Sequence, residues 1–156
     1  MEINSKTISF EFFPPKTDLG KEKLISIAKN LEDLSPEYFS VTFGAGGSTQ
    51  EGTLNTCLAM KESTDIDPCP HISGVGSTKQ EIKSILDTYV RAGFKRLVVL
   101  RGDLPSGVGG YSEFSYAKEL VEYIKNSYNN QFHIEVGAYP EVHPQALSAD
   151  KDFEHF

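Results

Sequence analysis

Positive charge is scarce in this sequence: 15 Lys and Arg stand against 22 Asp and Glu, a formal net charge of −7 at pH 7. The acidic residues are spread along the chain and the basic ones do not cluster. A nucleic-acid partner is therefore not expected, because phosphate backbones are held by clustered Lys and Arg. Cysteine is scarcer still. Only Cys57 and Cys69 occur, without CxxC spacing, and Met1 to Lys6 lack the apolar stretch of a secretory signal. Reduced thiols in a cytoplasmic protein are the expectation. Long apolar runs are missing too. The longest buried-looking stretch, Leu97 to Leu100, is strand length, far below the roughly 20 residues that cross a bilayer, so no membrane partner is expected. His71, His133, His143 and His155 show no zinc-ligand spacing such as HExxH, and no metal is expected. There is neither a GxGxxG fingerprint nor a Walker lysine.

What is present is an ordinary globular composition, 38% hydrophobic and 24% charged over 156 residues, enough for one unit with a core of its own. Five short apolar or β-branched runs read as strands: Ile8 to Phe13, Tyr38 to Phe43, Pro70 to Ser73, Arg96 to Leu100 and Ile134 to Tyr139. Between them apolar residues recur at helical spacing. The sets are Leu24, Ile27, Ala28, Leu31 and Leu34; Leu54, Cys57 and Leu58; Ile82, Ile85, Leu86, Tyr89 and Val90; and Ala117, Leu120, Val121 and Ile124. Ser48 with Glu51 and Thr78 with Glu81 have capping-box spacing, and Gly93 closes the third helix. Acidic residues near the end look like the opening of a fifth helix. Units of about 30 residues in β-α order imply a parallel sheet. Two architectures fit, an open doubly wound sheet and a (β/α)8 barrel, and pattern leaves both open.

Chemistry in parallel α/β folds gathers at the carboxyl ends of strands, so polar residues that interrupt the runs there are the candidates. Glu11 lies within Phe10 to Pro15, and alternation puts it on the face opposite Phe10 and Phe12. Buried Glu is rare unless paired or functional, which favours function over a structural ion pair. Thr42 ends the second run before Gly44 to Gly47, and His71 lies in the third, where a satisfied core histidine is the plainer reading. Asp103 follows Arg101 and Gly102, where it could equally cap the turn into Leu104 and Pro105. Gly44 to Ser48 could cradle an anion only weakly. The segment with Gly107, Gly109 and Gly110 reads as either a lid or a plain turn. Tyr139 could be a core residue or line a cofactor pocket.

Four of these segments, Phe10 to Pro15, Ser40 to Ala45, Arg101 to Pro105 and Ala138 to Pro144, together resemble the methylenetetrahydrofolate reductase family, and the likeness runs from Ser9 to the end. The resemblance implies a FAD-binding (β/α)8 TIM barrel of one-carbon metabolism, represented here by its first five strands, with residues 1–156 a partial catalytic barrel lacking the last three. It implies reduction of 5,10-methylenetetrahydrofolate to 5-methyltetrahydrofolate by NAD(P)H, in ping-pong fashion through flavin N5. Glu11 matches the acid that protonates the folate, with desolvation among Phe10, Phe12 and Phe13 the expected means of keeping it protonated. Asp103 matches the carboxylate held near flavin N1 and the C2 carbonyl. Thr42, His71, Arg101, Gly102, Asp103, Tyr116, Ala117, Tyr139, His143 and Asp152 match FAD-contacting positions, Arg101 suiting a phosphate. Family members are longer and supply a glutamine, an aromatic residue and basic FAD contacts from later strands. The shortness reads as a fragment or a truncated product, with assembly of two halves into a homo-oligomer as a third explanation. An inactive half-barrel serving flavin binding or subunit interaction, and another flavin-dependent barrel oxidoreductase, are the alternatives.

Overall fold

The computed structural model describes residues 7–43, 49–102, 112–138, 141–143 and 146–155. Five parallel strands alternate with helices: β1 Ser9–Phe12, α1 Asp18–Glu32, β2 Tyr38–Val41, α2 Gln50–Ser63, β3 Pro68–Ser73, α3 Lys79–Ala92, β4 Arg96–Leu100, α4 Ala117–Tyr128, β5 His133–Val136 and α5 Ala149–His155. The expected fifth helix is thus present. Among the described residues no helix is long and apolar enough to cross a membrane.

Strand order decides between the two architectures that the pattern allowed. The sheet runs β1-β2-β3-β4-β5, each strand paired in parallel with its sequence neighbour. A doubly wound sheet reverses direction beside its first strand, giving orders such as 2-1-3-4-5. Here β1 lies at an edge and the order never reverses, which is the winding of a (β/α)8 barrel.

The registers divide the side chains cleanly between two faces. Glu11 pairs with Ser40, Ser40 with Cys69, His71 with Val98, and Arg96 with His133. With a side-chain period of two, these residues and Ser73 share the inner face of the arc. The outer face carries Phe12, Phe39, Val41, Ile72, Leu97 and Val99. These form one buried cluster with Leu24 and Ala28 of α1, Cys57 and Met60 of α2, Ile82, Ile85, Leu86 and Tyr89 of α3, and Leu120 and Ile124 of α4. Edge-on contacts of Phe12 with Phe39 and of Tyr89 with Phe94 tighten this layer. Cys57 and Cys69 are free and buried, and burial pushes both thiols well above the usual range, so neither is a nucleophile near neutral pH.

Several boundaries differ from the sequence expectation for identifiable reasons. β3 starts at Pro68, two residues before the expected Pro70. The two prolines share one side of the strand, so the missing N–H groups affect the ladder toward one neighbour only. The first helical pattern extended to Leu34, but α1 ends at Glu32, and Ser35 adopts a left-handed φ of 50° that turns the chain toward β2. Ser48 lies outside the described residues. The N-cap of α2 is Thr49, whose hydroxyl accepts from the Gly52 N–H at 3.0 Å. Thr78 and Glu81 do form the expected capping box, and Gly93, at φ 74°, ends α3 in the left-handed region.

Candidate functional site

The carboxyl ends of β1, β2 and β3 bring three candidates together on the inner face. Glu11 Oε2 lies 3.5 Å from His71 Nε2, reaching across β2, which separates the two strands. Thr42 follows β2 directly. Its N–H donates to the Phe12 carbonyl at 2.9 Å, and its own carbonyl accepts from Thr53 Oγ1 at 2.8 Å, so the backbone is pinned to β1 and α2. The hydroxyl is not used in this way. Among the described residues, Thr42 Oγ1 and His71 Nε2 are the buried side-chain polar atoms without a hydrogen-bond partner.

Glu11 faces away from Phe10 and Phe12, as alternation predicts, but its expected burial is not found. Its side chain is 53% exposed, because Phe10 and Phe12 cover the helix-facing side and Phe13 is itself exposed. Apolar desolvation of this carboxyl by the three phenylalanines is therefore overturned. His71 is the buried partner, 5% exposed, and burial lowers its pKa to about 4, so the imidazole is neutral near pH 7. The contact with Glu11 would act in the opposite direction. At 3.5 Å, with the carboxylate half in water, it is the weaker effect and burial wins.

A second group of candidates lines a cleft of about 910 Å³ between the ends of β4 and β5 and helices α4 and α5. Arg101, Gly102, Tyr116, Ala117, His143 and Asp152 all border it, with Val99, Leu100 and Val136 supplying apolar wall and Lys118, Glu119 and Lys151 polar rim. Local structure positions each of them. Glu119 accepts from the Ser115 N–H at 2.6 Å and fixes the first turn of α4, on which Tyr116 and Ala117 stand. Asp152 on α5 accepts from the His143 N–H at 2.8 Å and ties the chain after β5 to that helix. Arg101 Nε donates to the Gly102 carbonyl at 3.1 Å, folding the guanidinium along its own turn. Asp103 and Tyr139, both candidates from sequence, lie outside the described residues, as do Gly107, Gly109 and Gly110.

Sequence reasoning missed two features of the inner face. Ser73 ends β3 and donates to the Arg101 carbonyl at 2.9 Å, and its polar character two residues beyond His71 was the available signal. At the opposite ends of the strands Arg96 pairs with Glu135 and, at 2.7 Å, with Glu37, while its guanidinium lies 4.7 Å over the Tyr38 ring. Arg96 and Glu135 sit in runs that read simply as strands, and only pairing distant in sequence reveals their network.

Comparison with known proteins gives a consistent answer. A family model described as methylenetetrahydrofolate reductase matches residues 1–156. The 5,10-methylenetetrahydrofolate reductase of Pectobacterium carotovorum subsp. carotovorum is 39% identical over 145 residues, covering 93% of this chain and 47% of that protein. The protein of the same description from Escherichia coli K12 is 38% identical over 145 residues, covering 93% of this chain and 48% of its own length. Methylenetetrahydrofolate reductase (NADH) 1 of Arabidopsis thaliana is 34% identical over 153 residues, 96% of this chain and 26% of the plant protein. The chain thus spans about half the length of the bacterial relatives it matches. With the sequential parallel sheet and polar groups at its carboxyl ends, this match places the chain in the methylenetetrahydrofolate reductase family.

Proposed function

We propose that this chain forms part of the catalytic barrel of a FAD-dependent reductase that converts 5,10-methylenetetrahydrofolate to 5-methyltetrahydrofolate at the expense of NAD(P)H. The observation that carries this reading is the pair of unpartnered buried polar atoms, Thr42 Oγ1 and His71 Nε2, beside Glu11 at the carboxyl ends of the strands. A buried donor or acceptor without a partner costs about 1–3 kcal/mol, a cost that a ligand rich in hydrogen-bonding atoms removes. The isoalloxazine edge of FAD is such a ligand, and the residues present fit it.

The β4–β5 cleft suits the remainder of a dinucleotide in size and chemistry. Arg101 would meet a phosphate with its planar donor fork, Gly102 would allow close backbone approach, and Tyr116, Ala117, His143 and Asp152 would line the nucleoside end. Asp103 and Tyr139 complete the set on the strength of their motifs alone. Bound flavin would supply hydride transfer between NAD(P)H and the folate. The printed name of the Arabidopsis relative specifies NADH for that protein.

Glu11 is the proton donor of this reading. Its carboxyl would give a proton to the folate nitrogen as the five-membered ring opens, and its 53% exposed side chain leaves a substrate room to approach. The neighbouring His71 imidazole, 3.5 Å away, is buried and neutral near pH 7, so it places no positive charge beside that carboxyl.

Three measurements on the same protein test the reading: FAD titration, NADH oxidation with a quinone acceptor, and methyltetrahydrofolate formation. Glu11→Gln is expected to lose about 100-fold or more of folate reduction while keeping NADH–quinone turnover, the range that a positioned general acid contributes. Full folate reduction by Glu11→Gln refutes the assignment. FAD binding without NADH oxidation would instead support a flavin-binding module.

A further inference from the structure

We infer that Ser73 is a positioning residue that aims the Arg101–Gly102 turn into the flavin cleft, an inference that rests on the proposed FAD site. The Arg101 carbonyl is held twice, by Ser73 Oγ–H at 2.9 Å and by the Val75 N–H at 2.9 Å. The Gly74 N–H reaches the Leu100 carbonyl at 3.3 Å, so the segment after β3 extends the parallel pairing past the end of β4. Such a carbonyl cannot rotate without losing both donors, and the peptide that follows it is fixed.

Gly102 makes the contact specific. It has φ 86°, and a Cβ at this position would lie 1.9 Å from Ser73 Oγ and 3.1 Å from Ser73 Cβ. The serine therefore fills the space that any other residue at position 102 would need. The same turn directs the guanidinium, because Arg101 Nε donates to the Gly102 carbonyl. Ser73 thereby sets both the backbone and the charged group of a residue pair bordering the cleft, while itself standing outside the cleft lining.

A nearby contact provides a control. Glu113 Oε2 accepts from the Lys79 N–H at 2.7 Å and the Glu113 N–H donates to the Ser77 carbonyl at 3.2 Å, anchoring the start of the next segment to the β3–α3 connection away from Arg101. Removing the Glu113 carboxylate touches the same connection without touching the Arg101–Gly102 turn.

The test is FAD titration of the purified chain, followed by flavin absorbance and by thermal melting of the FAD-free protein. Ser73→Ala is expected to weaken FAD binding about 10-fold, because the turn is no longer held in the arrangement that binds, while the FAD-free melting temperature falls only by the few degrees that one lost hydrogen bond costs. Ser73→Thr keeps the hydroxyl and is expected to restore affinity and the bound-flavin spectrum, while Glu113→Ala leaves both as in the parent. Should Ser73→Ala fail to fold, Ser73→Cys, nearly isosteric with a poor donor, reads the same loss. Parent-like affinity in the alanine or cysteine variant overturns the inference alone. So does a loss that follows the melting temperature and is not rescued by threonine. A parent chain that binds no FAD overturns the proposed function and this inference together.

Discussion

At the scale of single residues, His71 holds the most testable chemistry. Its folded pKa of about 4 lies below the ordinary 6.5, so between these values the unfolded chain binds the extra proton. The sign follows from linkage. Stability attributable to this group is complete above about pH 6.5, falls as pH drops toward 4, and is constant below, with an upper bound of ~3 kcal/mol. Urea unfolding at pH 7.5 and 4.5 should therefore show a smaller acid loss for His71→Gln than for the parent, and equal losses would contradict the assignment. His71 also shows the limit of residue-level reading. Its presence in an apolar run was plain, but either a satisfied core histidine or an open ligand fitted that run. Only tertiary structure reveals that its Nε2 lies 3.5 Å from Glu11 without a hydrogen-bond partner.

At the scale of elements, local chemistry decided most of what was legible. Thr78 and Glu81 cap each other across three residues: the Thr78 N–H donates to Glu81 Oε2 at 2.8 Å, and the Glu81 N–H donates to Thr78 Oγ1 at 3.3 Å. Every group in that arrangement is encoded within one turn. Thr78→Ala should cost about 1 kcal/mol of unfolding free energy, measured by urea denaturation, since the Glu81 N–H loses its acceptor and Glu81 Oε2 loses the Thr78 hydroxyl. At the other end, Gly93 takes the left-handed conformation at φ 74°, and Lys61 of α2 donates to the Ala92 carbonyl at 2.8 Å. Gly93→Ala is expected to cost about 1 kcal/mol by the same measurement, because the new Cβ is strained at this φ. The glycine was visible in sequence and the lysine was not, since Lys61 and Ala92 meet only after β3 has returned the chain.

At the scale of the whole molecule, Arg96 joins parts that no local rule connects. It sits at the start of β4, pairs with Glu37 before β2 and with Glu135 on β5, and stacks on Tyr38. Surface pairs contribute little, but this guanidinium side chain is only 17% exposed and serves three partners at once. Arg96→Ala should destabilise the fold by about 2 kcal/mol, discounted from the value for a fully buried pair because both carboxylates reach water. Arg96→Met, which keeps the stem over the Tyr38 ring, should recover part of that loss in thermal or urea unfolding.

The sequence by itself determined the β-α alternation, the face of the first strand on which Glu11 stands and the reductase motifs. These depend on periodicities of two and 3.6 residues and on short segments, all of which act within a few neighbours. The motifs implied the sequential strand order only through resemblance, and tertiary structure alone decided that neighbouring strands pair in the observed registers, that Glu11 meets His71 across β2 with one side chain half in water and the other buried, and that Ser73 grips Arg101. Each of those outcomes requires hydrogen-bonding partners or neighbours some 30 to 60 residues apart. Parallel pairing through helical crossovers supplies that proximity, and no local pattern specifies it.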